Sequence, residues 1–258
     1  MDVMRAFRQA RTLIAVTVRY LLGTRRVIPT ALLASAPVVI ALAFAVARIP
    51  TYDILVFQSL MVPLFLQVVL IFVTLVSATT VVREEIEDNT LPYLMTRPIS
   101  KPAIAIYKYV GYLVAVLVLL VPPVVLAYAV TEGHSGDPMT ADLDVLGALL
   151  LTTVLGSVAY GALFLFLSVL VRKPLAVGLL IGFVWESVVS SIPGDVPKIS
   201  IIHYLKSIIK DLVAVGPLTN YASDISAAIA VAVLIGFSIA MLVLALFQFQ
   251  QMEFRQKA

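Results

Sequence analysis

Between Val81 and Gly111 the chain sets eight charges and three prolines between two long apolar runs. Glu84, Glu85, Glu87 and Asp88 come first and Asn89-Thr90 follows; next stand Leu91, Tyr93, Leu94 and Met95, and last Arg97, Pro98, Ser100 and Lys101. These residue types suit docking rather than bond-breaking. Acids on one side of a short apolar ridge and cations on the other set a partner's register by charge, while the ridge fills its groove. The local rules supply the shape. Thr90 is a helix N-cap, Pro92 falls in the first turn, and Pro98 ends the helix within one or two turns. The acids precede a helix N-terminus, where backbone dipoles favour negative charge. Residues 83–103 are thus expected to form a rigid elbow. Membrane topology alone explains basic loops, but acids contribute little to it.

Other chemical groups are sparse. Glu186 is the one clear ionisable residue inside an apolar run, and a buried acid there is a functional candidate. Gly178 and Gly182 share its helix as G-x-x-x-G, a spacing that permits close helix contact. Arg172 and Lys173 form a second basic connection. His134, Ser135 and Asp137 in "EGHSGDP" have the residue types of a triad, but they crowd a short turn-rich loop where neighbours rarely face one another. His203 has no second ligand at a metal-binding spacing and reads as an interfacial polar residue. There is no H-E-x-x-H helix. The G-x-x-x-x-G-K-[ST] loop is also missing, so no ATP or other cofactor site is expected in this chain.

The elements that position these residues follow from composition. The chain is 258 residues long, 61% hydrophobic and 13% charged, with a mean hydropathy of +1.06; soluble domains carry about 25% charge. It is read as one all-α polytopic membrane domain over residues 1–258. Six spans near the ~20 residues needed to cross a bilayer are expected at Val27–Ala47, Ile54–Val82, Ile104–Val130, Val145–Val171, Leu175–Ile192 and Ala227–Gln248, a core of 27–248. Fourteen of the 18 Lys and Arg lie before the first span, at the second connection including Lys108, at Arg172-Lys173, or after the last span. The other four are Arg48, Lys198, Lys206 and Lys210. Both termini are therefore expected on the cytosolic side of the cell membrane. Without cysteine, thiol chemistry and disulfides are excluded.

Residues 1–26 carry Val3, Phe7, Ala10, Ile14 and Leu21 at helical spacing on one side and Arg5, Arg8, Arg11 and Arg19 on another. That predicts an amphipathic helix in the cytosolic headgroup layer. Between the last two spans, Ile201, Leu205, Ile208 and Leu212 predict a short extracytosolic helix resting on the membrane surface, stopped by Gly216-Pro217. Pro63 and Pro122-Pro123 are expected to kink the second and third spans.

The segment "EIEDNTLPYLMTRPISKPAIAIYKYVG" resembles the signature of type-2 ABC transporter permeases: an acidic run, Gly-Thr-Leu, a short helix, an Arg-Pro-hydroxyl turn and a Lys entering a span. The matching positions are Glu85, Glu87, Asp88, Thr90, Leu91, Arg97, Pro98, Ser100, Lys108 and Gly111. Asn89 stands in place of the usual Gly and Pro92 in place of a helix former. The resemblance implies a transmembrane exporter subunit whose elbow is the coupling helix of an ABC ATPase. It also implies ATP and Mg in that partner, a second permease copy in a homodimer or related heterodimer, and the fifth span near the dimer interface. Nucleic acid is not an expected partner. Polar groups within the spans are few, chiefly Gln58, Gln67, the Thr74 to Thr80 hydroxyls, Tyr128, Tyr160 and Glu186, which suits a hydrophobic or amphipathic cargo. The alternative is a membrane scaffold or lipid-interacting protein without an ATPase.

Overall fold

Backbone N–H and C=O groups in hydrocarbon find no water, so the long apolar runs fold into helices that satisfy them internally. The computed structural model describes residues 2–25, 27–87, 101–136 and 138–251, and the regular elements among them are all helical. Among the described residues, five helices are long and apolar enough to cross a membrane: Ile54–Val81, Pro102–Ser135, Leu143–Leu170, Pro174–Ser191 and Ala227–Phe249. The first span, expected unbroken from Val27, is a pair of helices, Val27–Ala34 and Ala36–Val46, bent by 43°. Pro37 lies in the first turn of the second piece, where its missing N–H is tolerated, and Ser35 Oγ at the break donates to the Leu32 carbonyl over 2.8 Å.

The prolines within spans act in two ways. Pro63 falls in a π-helical stretch, Met61–Val69, whose wider turn accommodates the lost hydrogen bond. Pro122 and Pro123 lie inside a helix that continues from Lys101 to Ser135. This third span ends five residues beyond the expected Val130 because its polar end has partners. The Tyr52 hydroxyl is 2.8 Å from Thr131 Oγ1, His134 Nε2 is 3.0 Å from the Ile49 carbonyl, and Tyr52 stacks on Phe44.

The fourth span is the hub of the bundle. Of its apolar stretch 72% is buried, against 28% for the fifth span and 22% for the sixth; those two turn most of their surface outward. Second, third and sixth spans pack around it. The N-terminal helix, Asp2–Gly23, lies along the third span, where Gly111 leaves room for Thr17 and a Cβ would approach Thr17 Cβ to 2.7 Å.

The helix between the last two spans, Ile201–Leu212, differs from the expected surface helix. Its apolar face, Ile201, Leu205 and Ile208 included, is buried against the fourth and sixth spans. Leu205 reaches into the notch at Gly156, where a Cβ would come within 3.2 Å of it. Gly156 lies 13 residues into the fourth span, about 20 Å along the helix axis. The helix is therefore tucked between spans.

Candidate functional site

The elbow grows from the ends of two helices. Helix continues from Leu70 through Glu84 and Glu85 to Glu87, and the third span begins at Lys101. Asp88, Asn89, Thr90, Leu91, Tyr93, Leu94, Met95, Arg97, Pro98 and Ser100, with the short helix expected there, lie outside the described residues. Side-chain contacts hold the root of the elbow. Lys108 is buried, and its Nζ donates to the Val81 carbonyl over 3.3 Å, tying the start of the third span to the end of the second. Two tyrosines then bind the third span to the hub: Tyr109 donates to the Val158 carbonyl over 2.7 Å and Tyr112 to Ser157 over 3.1 Å. Each replaces a water bond that the interior cannot supply. Motion applied to the elbow thus meets a braced pair of helices.

Arg172 and Lys173 are exposed between the fourth and fifth spans, where Val171 ends one helix in extended conformation and Pro174 opens the next. Gly178 faces Leu75 of the second span and Gly182 faces Ile71; a Cβ on either would lie 2.2 Å or 2.4 Å from those side chains. The G-x-x-x-G face therefore closes a contact within the chain. This antiparallel register, 178 beside 75 and 182 beside 71, brings Lys173 to about the level of Thr80, at the elbow end of the bundle.

Glu186 lies toward the other end, buried. Its two carboxylate oxygens accept from the backbone N–H groups of Ile201 and Ile202, each at 3.1 Å, while Ser200 Oγ accepts from His203 N–H at 3.3 Å. Together they satisfy three of the open N–H groups at the start of the tucked helix, where negative charge is favoured. The buried Tyr160 hydroxyl lies beside this carboxylate without a hydrogen bond of ordinary geometry.

Further polar contacts pin the hairpin formed by the tucked helix and the connection over 213–226 that leads to the sixth span. Gln58 Nε2 of the second span donates to the Val215 carbonyl over 3.0 Å, and Gly216 admits Gln58 so closely that any Cβ would collide with it. Asp144 of the fourth span accepts from Ala214 N–H at 3.1 Å. Asp211 accepts from Ala227 N–H at 2.8 Å, at the first residue of the sixth span. His203, expected at the interface, is buried, with Nδ1 2.9 Å from the Tyr221 hydroxyl. Of the triad types, His134 pairs with the Ile49 carbonyl and Ser135 donates to the Glu132 carbonyl. Asp137 lies outside the described residues.

Comparison with known families fits this helical membrane architecture. The family model described as ABC-2 family transporter protein matches residues 23–188, more than half of the chain and including the elbow. The chain belongs to the ABC-2 transporter family. It is a permease, a multi-pass membrane component, in a family of transport components that lack an ATPase domain of their own, a membership that implies association with an ABC ATPase. No curated protein matches the chain.

The sequence pointed to Glu186 and the two glycines. It did not mark Gln58, Asp144, Asp211 or Gly216 as partners of one hairpin. Their contacts join backbone groups to side chains far away in sequence, and only the Gly216-Pro217 helix stop hinted at them.

Proposed function

We propose that this permease is driven by a separate ABC ATPase that docks on the elbow over 83–103, with Arg172 and Lys173 as a second contact. ATP and Mg are held by the partner, and two permease copies, identical or related, complete the transporter in the cell membrane with termini cytosolic. The observation that carries this reading is the family match across an elbow whose root is braced by Lys108 and Val81. When ATP closes the ATPase dimer, the elbow moves with it. The second and third spans carry the displacement through their tyrosine contacts to the hub.

The cargo is a hydrophobic or amphipathic compound, and the direction is export. The hydroxyls of Thr74, Thr79, Thr80, Thr152, Thr153 and Ser157 each donate to a carbonyl three or four residues back on their own helix. Bonds of this kind leave the span interior little polarity to offer a hydrophilic solute.

Affinity purification of the tagged chain from its native membranes in mild detergent tests the partnership. An ATP-binding subunit is expected with the wild type and is lost with Glu87→Lys plus Arg97→Glu. A folded, dimeric wild type that brings down no ATPase would put the scaffold reading ahead.

A further inference from the structure

At the end opposite the elbow, the fifth and sixth spans and the start of the tucked helix enclose a cavity of about 310 Å³, within the size range of ligand sites. Its walls are apolar: Leu163 from the fourth span, Ile181 from the fifth, and Leu234 and Phe237 from the sixth. One end is polar, with Lys198 on the loop that leads into the tucked helix. The carboxylate of Glu186 also faces this space, but both of its oxygens already accept backbone hydrogen bonds.

The cavity is lined in part by the two spans that turn most of their surface outward, and its lining residues Trp185 and Ile199 are 46% and 65% exposed. Trp185 and Tyr204 flank it, and aromatics of these types favour the level of lipid headgroups. An apolar slot lined by outward-turned spans, with a cation at the headgroup end, has the polarity of a single lipid molecule. Lys198 is ion-paired with Asp195 at the surface, the two side chains 47% and 87% exposed, and exposed pairs of this kind contribute little. A phosphate can therefore replace the carboxylate at small cost.

We propose that this cavity binds one acyl chain of a phospholipid from the adjoining leaflet, with the lipid phosphate taking Lys198 from Asp195. The site lies apart from the elbow and does not depend on the ATPase reading. It is a lipid site in its own right, on the outward-turned side of the fifth and sixth spans.

Trp185 is the single tryptophan of the chain, so its fluorescence reports occupancy directly. The purified protein in detergent micelles is titrated with phosphatidylglycerol carrying brominated acyl chains. Quenching is expected to saturate. Lys198→Gln should weaken the apparent affinity about tenfold, or about 1.4 kcal/mol, and Asp195→Asn should strengthen it by freeing the lysine. Brominated diacylglycerol, which lacks the phosphate, should bind all three proteins with the same weak affinity. Both substitutions are at exposed positions, so folding is preserved. Linear, unsaturable quenching that is equal in the three proteins would mean general lipid contact and would overturn the proposal. So would absence of quenching in a dimeric preparation, which would show the cavity covered by a second copy.

Discussion

His203 shows how far a residue's setting departs from its sequence neighbourhood. It reads as an interfacial polar group, yet it is buried beside Tyr221 and meets Tyr204 edge-on. Burial, reinforced by the positive charges of Lys198 and Lys206, lowers its pKa below the usual 6.5. The unfolded chain therefore binds this proton at a higher pH than the folded one, and folding stability falls as pH drops below about 6.5. The loss ends once pH passes the lowered folded-state value. Thermal unfolding measured from pH 7.5 to 5 should show wild type losing stability faster than His203→Asn; parallel curves would contradict this. Glu186 was legible as an acid in an apolar run. Its role at the tucked helix was not, because its partners are backbone N–H groups 15 and 16 residues away.

Hydropathy marks helices well because lipid enforces them, and five spans lie where their apolar runs predict, apart from the longer end of the third. Bends and packing partners depend on neighbours that hydropathy does not reveal. The break at Ser35, the π-helical stretches Met61–Val69 and Leu180–Trp185 and the burial of the tucked helix belong to that class. So does the glycine pair: G-x-x-x-G announces a close contact without naming the other helix, which is the second span. Gly182→Ala places a Cβ against Ile71 Cγ2 and should cost about 1–3 kcal/mol by overpacking. In an Ile71→Ala background the same substitution should cost almost nothing, because the obstructing methyl is gone. A double-mutant cycle on detergent-solubilised protein checks this; equal costs in both backgrounds would mean that the two spans do not meet there.

At the scale of the whole molecule, the two ends of the bundle have different architectures. Toward the elbow end Arg172 and Lys173 are exposed, and the second and third spans are braced by Lys108 and two tyrosines. At the far end, the second, fourth and fifth spans hold one short helix and its connection through Gln58, Asp144 and Glu186, and Asp211 links that helix to the sixth. A push on the second span at the elbow therefore reaches the tucked helix through a span that touches both. The central claim is that an ATPase delivers that push. The chain contains no cysteine, so Leu94→Cys creates a single attachment point for a thiol-directed photo-crosslinker on the elbow. In native membranes, the account predicts an adduct with a protein that is also labelled by azido-ATP, with a yield that changes when ATP is added. Adducts confined to lipid or to a second copy of the chain, in membranes that retain ATP-dependent export, would contradict it.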